Sequence, residues 1–261
     1  MEVLFTGTGA ADWPIELYDQ MPEFRRNSGV LIDSDLLIDP GPHIYHFAEK
    51  NNNSHLFDNV ENIIVTHTHS DHFNAENVLK LSQNSRCVLW GDSACLRNLE
   101  KNLGSAASAI KFRETKIGQT YEIGKYKITP LRANHVSQDP QDIARIYIIE
   151  KDGRILYYGC DTSWIPTESW NFMKDLKINA MIMELTCGLN APDDWRIFEH
   201  TTIEMLKLML AMFRKYDRFD KNVRFYVSHM ARTLHTNHEE LKNYLAEYGV
   251  TPAYDGMKIN V

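Results

Sequence analysis

Between Ile63 and Phe73 the chain reads Ile-Ile-Val-Thr-His-Thr-His-Ser-Asp-His-Phe, which puts His67, His69, Asp71 and His72 within six residues. Imidazole nitrogens and a carboxylate crowded onto one turn suit a borderline cation such as Zn²⁺. His67 and His69, two apart, can reach one ion, and Asp71 and His72, a little further along, can reach a second. Four donors do not complete two sites, so the remaining donors must come from elsewhere. Three residues offer them, each after an apolar run: His135 after Leu131-Arg132-Ala133-Asn134, Asp161 just past Ile155-Leu156-Tyr157-Tyr158, and His229 after the run from Val223 to Ser228. Strand ends converge on one edge of a sheet, so all of them can line one cleft.

The elements that must position these residues are short. Runs rich in Val, Ile, Leu and Tyr and bounded by Gly, Pro, Asn and Asp predict strands at Glu2–Thr6, Gly29–Ile32, Leu36–Ile38, Ile63–Thr66, Arg86–Leu89, Lys125–Pro130, Ala144–Glu150 and Arg154–Tyr158. Asp152-Gly153 predicts a hairpin turn between the last two. Asn74 opens a helix carrying Val78, Leu79 and Leu81. Asp92 caps another that places Leu96, Leu99 and Leu103 on one face and stops at Gly104. Thr201 with Glu204 reads as a capping box ahead of Ile203, Leu206, Leu210 and Phe213, and Asn237 with Glu240 does the same before Leu241, Tyr244, Leu245 and Tyr248. Met205, Met209 and Met212 follow helical spacing on that third helix and are expected to fill core rather than to bind a ligand. Strands interleaved with helices indicate an α/β class, two sheets with helices outside. No linker or repeat divides the chain, so residues 1–261 are expected to form one domain.

Composition narrows the partners. Lys plus Arg is 28 and Asp plus Glu 35, a formal charge of −7, with 43% apolar residues. A dedicated nucleic-acid binder carries a basic face, so no stable nucleic-acid complex is expected, whereas a small anionic substrate held by local cations is compatible. No apolar run is long enough to span a membrane, and the first residues lack the basic and apolar regions of a signal peptide. A cytoplasmic setting is expected, with Cys87, Cys95, Cys160 and Cys187 reduced and mostly in the core.

The sequence resembles the metallo-β-lactamase-fold hydrolases, whose H-x-H-x-D-H hallmark stands here as His67-Thr68-His69-Ser70-Asp71-His72. The resemblance spans nearly the whole chain, from Leu4-Phe5-Thr6-Gly7-Thr8-Gly9-Ala10-Ala11 through Leu36-Leu37-Ile38-Asp39-Pro40-Gly41 to Ala253-Tyr254-Asp255-Gly256-Met257. These flanks look most like the PhnP-type phosphodiesterase and tRNase Z branch. The resemblance implies a four-layer αββα sandwich and two divalent ions, Zn²⁺ or Mn²⁺ with Fe²⁺ as a further choice. His67, His69 and His135 would hold one ion, Asp71, His72 and His229 the other, and Asp161 would bridge. Departures matter too. The loop from Asp12 to Arg26 has no cysteine for the extra zinc of some PhnP-type proteins. There is also no basic, Gly/Pro-rich arm of the kind that transfer-RNA maturases use.

The function so implied is hydrolysis of a small (cyclic) phosphodiester by a hydroxide shared between the ions. Asp71 belongs to that catalytic set. A leaving alkoxide needs a proton, and an imidazole can give it near neutral pH. His200 is the first candidate, matching a family histidine with this role; a nearby helix N-terminus should lower its pKa. His235 is the second. Arg232, and Arg25 or Arg26, could clamp a phosphate. His43, His46, His55 and His238 read as surface or structural. The alternatives are a thioester or lactone hydrolase of glyoxalase II type on the same metals, and a non-catalytic scaffold. A homodimer is a family-level expectation.

Overall fold

Strands covered on both faces need apolar residues at every position, and Gly29–Ile32 and Leu36–Ile38 are buried throughout. The computed structural model describes residues 1–84, 86–190, 194–216 and 220–261. Its first half runs β1 (Glu2–Gly7), β2 (Gly29–Ile32), β3 (Leu36–Ile38), α1 (Ile44–Lys50), β4 (Asn62–Ile64), α2 (Ala75–Leu81), β5 (Val88–Gly91), α3 (Ser93–Leu103) and β6 (Phe112–Glu114). The second half runs β7 (Tyr121–Ile123), β8 (Tyr126–Val136), β9 (Ile143–Lys151), β10 (Arg154–Gly159), α4 (Thr167–Met173), β11 (Ala180–Glu184), α5 (Ile203–Lys215), β12 (Arg224–Ser228), α6 (His238–Ala246), β13 (Val250–Pro252) and β14 (Lys258–Asn260).

Two seven-stranded sheets result, in the orders β14-β1-β2-β3-β4-β5-β6 and β13-β12-β11-β10-β9-β8-β7. Side chains alternate along each strand and divide the interior into layers. Val30 and Ile32 of one sheet meet Leu156, Tyr158 and Ile182 of the other between the sheets. Leu31, Leu37 and Ile63 face outward onto Ala48, Val78 and Leu99 of α1, α2 and α3. On the far side Tyr157, Met181, Phe225 and Val227 pack against Leu206, Leu210, Leu241 and Leu245 of α5 and α6. This is the αββα sandwich. Among the described residues no helix is long and apolar enough to cross a membrane.

The direction of the strands decides where the site lies. From β3 to β6, and from β10 to β13, neighbours run parallel. β8 and β10 each pair antiparallel with β9, so they too point the same way. The carboxyl ends of β4, β8, β10 and β12 therefore carry His67, His135, Asp161 and His229. The β8–β9 register shifts between Arg132 and Val136, the irregular stretch that contains His135.

Several elements differ from the sequence reading. The strand expected to reach Thr66 leaves the ladder after Ile64, because the Thr66 amide donates to Asp39 Oδ1 at 2.8 Å instead. The strand expected at Arg86–Leu89 runs Val88–Gly91. β11, reading Ala-Met-Ile-Met-Glu, lacks β-branched density and gave no clear strand pattern, yet all five residues are buried. The cap of α5 is Thr202, whose hydroxyl accepts from the Met205 amide; Thr201 is drawn away, donating to Thr162 O at 2.9 Å. The Asp152-Gly153 turn is as expected, both residues taking positive φ to close the β9–β10 hairpin.

A tie between the sheets lies beside the His67 corner. The Arg145 amide donates to Thr66 O at 3.0 Å and the Tyr147 hydroxyl to Val65 O at 2.5 Å. The buried Arg145 guanidinium donates to Asp92 Oδ2 at 2.6 Å, while Asp92 Oδ1 caps α3 through the Ala94 amide. Asp92→Ala strands a buried cation, so it should lower unfolding free energy by roughly 3–5 kcal/mol. Urea unfolding checks this, and a loss below about 1 kcal/mol would show that the pair is not a structural anchor.

Candidate metal centre

The corner after β4 folds back on itself because Gly41 admits the backbone of Asp71; a Cβ at Gly41 would collide with Asp71 O. Asp39, Asp161 and His229 all sit at positive φ, an uncommon conformation for residues other than glycine. Each follows a strand end and turns its side chain towards the same space. Such concentration of unfavourable backbone is characteristic of functional sites.

The structure brings all seven sequence-predicted donors together in two adjoining groups. His67 Nε2 lies 2.9 Å from His69 Nδ1, and His135 Nε2 lies 3.1 Å from the same atom. Asp161 Oδ2 is 3.5 Å from His67 Nε2 and 3.6 Å from His135 Nε2. In the second group His72 Nε2 is 3.2 Å from His229 Nε2, and Asp71 Oδ2 is 3.3 Å from the former and 3.4 Å from the latter. Asp161 reaches this group as well, with Oδ2 3.3 Å from His72 Nε2 and Oδ1 2.9 Å from His229 Nε2. Cys160 Sγ also falls within reach of His72, Asp161 and His229, a neighbour that the sequence reading left in the core.

Two buried acids orient these rings from behind. The His72 Nδ1–H donates to Asp39 Oδ2 at 3.0 Å, and the Thr66 hydroxyl donates to the same oxygen at 2.9 Å. That hydroxyl accepts from His67 Nδ1 at 3.1 Å. Glu184 plays the same part across the cleft. The Thr186 hydroxyl donates to Glu184 Oε2 at 2.5 Å and accepts from His229 Nδ1 at 2.8 Å. His135 Nδ1–H donates to Glu199 O at 3.2 Å. Fixing Nδ1 in this way leaves Nε2 of His67, His72, His135 and His229 as the free donor atom, the arrangement by which a protein readies histidine for a metal. Asp142 adds a further brace, accepting from the Thr68 amide and hydroxyl. Asp39 and Glu184 were not singled out in the sequence, where nothing local marks a lone buried acid.

Electrostatics divide the two groups. Burial holds His67, His69 and His135 below the ordinary histidine range, so they are neutral and able to donate electron pairs. Burial also opposes charge on His229, but the Asp161 carboxylate overrides it and pushes the imidazole up to about 10. His72 is raised in the same way by Asp161 and Asp71. Burial works against the Asp161 carboxylate too, and the charges of His229 and His72 still hold it well below the usual carboxylate range. A carboxylate that attracts this much positive charge fits a divalent ion in the same place, and ion binding would displace those protons.

A cavity of about 230 Å³ opens over the two groups, lined by His69, Asp71, His135, Asp161, Arg196, His200 and His229 among others. His200 stands in it, its ring 4.9 Å from His135 and 5.5 Å from His229 between centroids. The helix was expected to lower its pKa. Burial acts that way and is the largest single influence, but the charge and hydrogen bond of Glu184, whose Oε1 lies 3.1 Å from Nδ1, together with the Asp161 charge raise it overall.

The other candidates lie elsewhere. His235 Nε2–H donates to Leu185 O at 2.7 Å and its ring packs on Gly188; burial pushes it down to about 4, so it is neutral and outside the cavity. Arg232 is turned to Asp12, its amide on Oδ1 at 2.7 Å and Nε on the carbonyl at 2.9 Å. Arg26 is buried against Asp255 and His46 and lines a separate pocket with Arg25, which bonds Thr8, Ala253 and His238. Each found a partner distant in sequence. The cation that does line the cavity is Arg196, which the sequence reading missed among ordinary surface arginines.

Residues 35–230 match the profile of the beta-lactamase superfamily domain. Zn(2+)-bound PqqB from Methylobacterium extorquens superposes with a TM-score of 0.75 at 16% identity, over 100% of both chains. A diphosphatase from the PhnP family gives 0.72 at 18% identity, over 100% of this chain and 97% of that one. Human tRNase Z, short form, gives 0.69 at 18%, over 100% and 99%. At such identities the likeness is one of fold. A search of curated proteins by sequence found no match.

Asp39 orients two candidate ligand rings at once, so Asp39→Asn should weaken metal binding by about tenfold or more. Competition against a chromophoric chelator measures it, and unchanged affinity would remove Asp39 from the metal's support.

Proposed function

The chain belongs to the beta-lactamase superfamily, and from that premise we propose that it is a phosphodiesterase acting on a small anionic diester with two divalent ions. Its fold is that of metal-dependent hydrolases. The observation that carries the finer reading is Asp161, whose two carboxylate oxygens lie among the donor atoms of both histidine groups. The donor set fits the ions: five imidazoles and two carboxylates, oriented from behind, suit Zn²⁺, Mn²⁺ or Fe²⁺. His67, His69 and His135 would hold one, Asp71, His72 and His229 the other, with Asp161 common to both. When bound, such a pair supplies an ionised water near neutral pH and offsets charge on phosphoryl oxygens.

The chain's own groups do the rest. Asp161 sets the separation of the two groups. Glu184 holds His200 by Nδ1, which leaves Nε2 to carry a proton into the cavity for the departing alkoxide. Arg196, held by Asp194 at Nε, presents its remaining guanidinium nitrogens to an anion. The small cavity favours a compact reacting group over a folded polymer. A diphosphatase and a tRNase Z of the same fold support phosphate-ester chemistry. Four buried, unpaired cysteines suit a reducing setting such as the cytoplasm.

The metal-loaded protein should hydrolyse bis(p-nitrophenyl) phosphate, and a chelator or Asp161→Ala should abolish turnover. Turnover of thioesters or lactones without diester cleavage would overturn the proposal in favour of an acyl hydrolase. His200→Ala should reduce kcat by about 10²–10⁴-fold on an alkyl ester, where the leaving group needs a proton. The loss should be much smaller for p-nitrophenolate, which leaves unaided. Equal losses on both esters would show that His200 is not the acid.

A further inference from the structure

A second cavity, of about 460 Å³, lies between the loop before β2, the start of α6 and the segment after β13. None of the seven metal donors lines it. Tyr18, Phe24 and Tyr254 supply aromatic rings to its wall, and Tyr254 is left 53% exposed. Arg25 stands in the same wall in an uncommon setting. Its Nη1 donates to the Thr8 hydroxyl at 2.7 Å and to Ala253 O at 2.8 Å, and its Nη2 to His238 Nδ1 at 3.0 Å. Burial and the Arg25 charge hold His238 below the ordinary histidine range, so all three acceptors are neutral. No carboxylate among the described residues forms an ion pair with this guanidinium, because the nearby acids are engaged elsewhere. Asp255 accepts from the Arg26 amide and Nη1 and from the Thr8 hydroxyl, and Glu23 from the His238 amide. Burial works against the Arg25 charge, and Asp255 and Glu23 do not fully offset it. A guanidinium drawn out of water without a paired anion is costly, and a bound anion lowers that cost.

We infer that this cavity is a ligand site for a small aromatic monocarboxylate, with its carboxylate on Arg25 and its ring against Tyr254. Two donors are free for the oxygens: Arg25 Nε, which has no partner among the described residues, and His238 Nε2, which carries the proton because Nδ1 accepts. Glu23 and Glu239, both exposed, share the cavity wall and oppose a second negative charge, so a carboxylate fits better than a phosphate dianion. The aromatic wall favours a ring over a purely polar body, since rings pack edge-on or offset against one another. The site is joined to the metal centre through Thr8. Its hydroxyl accepts from Arg25 and its carbonyl accepts from the amide of Met230, the residue after His229. With no metal donor in its wall, the cavity holds a ligand that is not the substrate of the metal centre, and the inference is independent of the reaction proposed there.

Calorimetry on the metal-loaded protein at constant ionic strength tests it, with benzoate as the probe and acetate and inorganic phosphate as controls. Benzoate should saturate one site and bind about tenfold tighter or more than acetate, the gain expected for burying much of a phenyl ring. Phosphate should not displace it. Tyr254→Ala should bring benzoate affinity down towards that of acetate, and Arg25→Met should abolish binding of both. Asp161→Ala, which disables the metal centre, should leave benzoate affinity unchanged. Tyr254 is exposed, so its variant decides the point even where Arg25→Met fails to fold. No saturable binding, equal affinity for benzoate and acetate, or benzoate affinity unchanged in Tyr254→Ala would overturn the assignment. So would displacement by phosphate or loss of binding in Asp161→Ala, because the carboxylate would then sit at the metal centre.

Discussion

The buried carboxylate of Asp161 is the constraint on which the rest of the site depends. Five imidazoles packed within a few ångströms would repel one another once protonated, and burial would strip any charge of its water. One shared anion between the two groups changes that balance. It keeps positive charge on the His72 side while the His67 side stays neutral. A divalent ion would meet a carboxylate and neutral nitrogen donors in the His67 group, and in the His72 group it would displace the protons that the carboxylates now hold there. The same anion makes the site expensive to leave empty of positive charge, and a left-handed backbone turn at Asp161 aims it there.

That constraint is transmitted outward through two acids, one from each sheet. Asp39, just past β3, steadies His67 and His72; Glu184, at the end of β11, steadies His229 and His200. Both work through a threonine hydroxyl that accepts from an imidazole and donates to the carboxylate. The two halves of the sandwich thus reach the cleft with similar local devices. Only the Glu184 half adds an imidazole that belongs to neither histidine group. The asymmetry leaves His200 beside the two histidine groups on the Glu184 side of the cleft, where Arg196 lines the same cavity.

Much of this was legible in the chain and some was not, for reasons that can be assigned. Strands β1 to β3, the helix caps at Asn74, Asp92 and Asn237, and the Asp152-Gly153 turn depend on neighbours a few residues away, and they formed where local chemistry placed them. β11 escaped notice because a fully buried strand shows no alternation and its methionines carry no strand preference. Thr201 looked like a cap, but the backbone beside Asp161 competed for its hydroxyl and won.

What the sequence determined by itself was the chemistry of the donors, since the His67–His72 corner and three strand-end residues carry ligand atoms whatever surrounds them. Which arginine would face the cavity and which histidine would keep a usable proton was decided only by tertiary structure. Arg26 was claimed by Asp255, 229 positions away, and Arg232 by Asp12, 220 positions away. His235 was sealed against Gly188, and His200 was lifted by an acid 16 positions off. A side chain's charge and reach are written in its residue type. Its partner is chosen by the fold, because electrostatic and hydrogen-bond energies depend on distance in space and not along the chain.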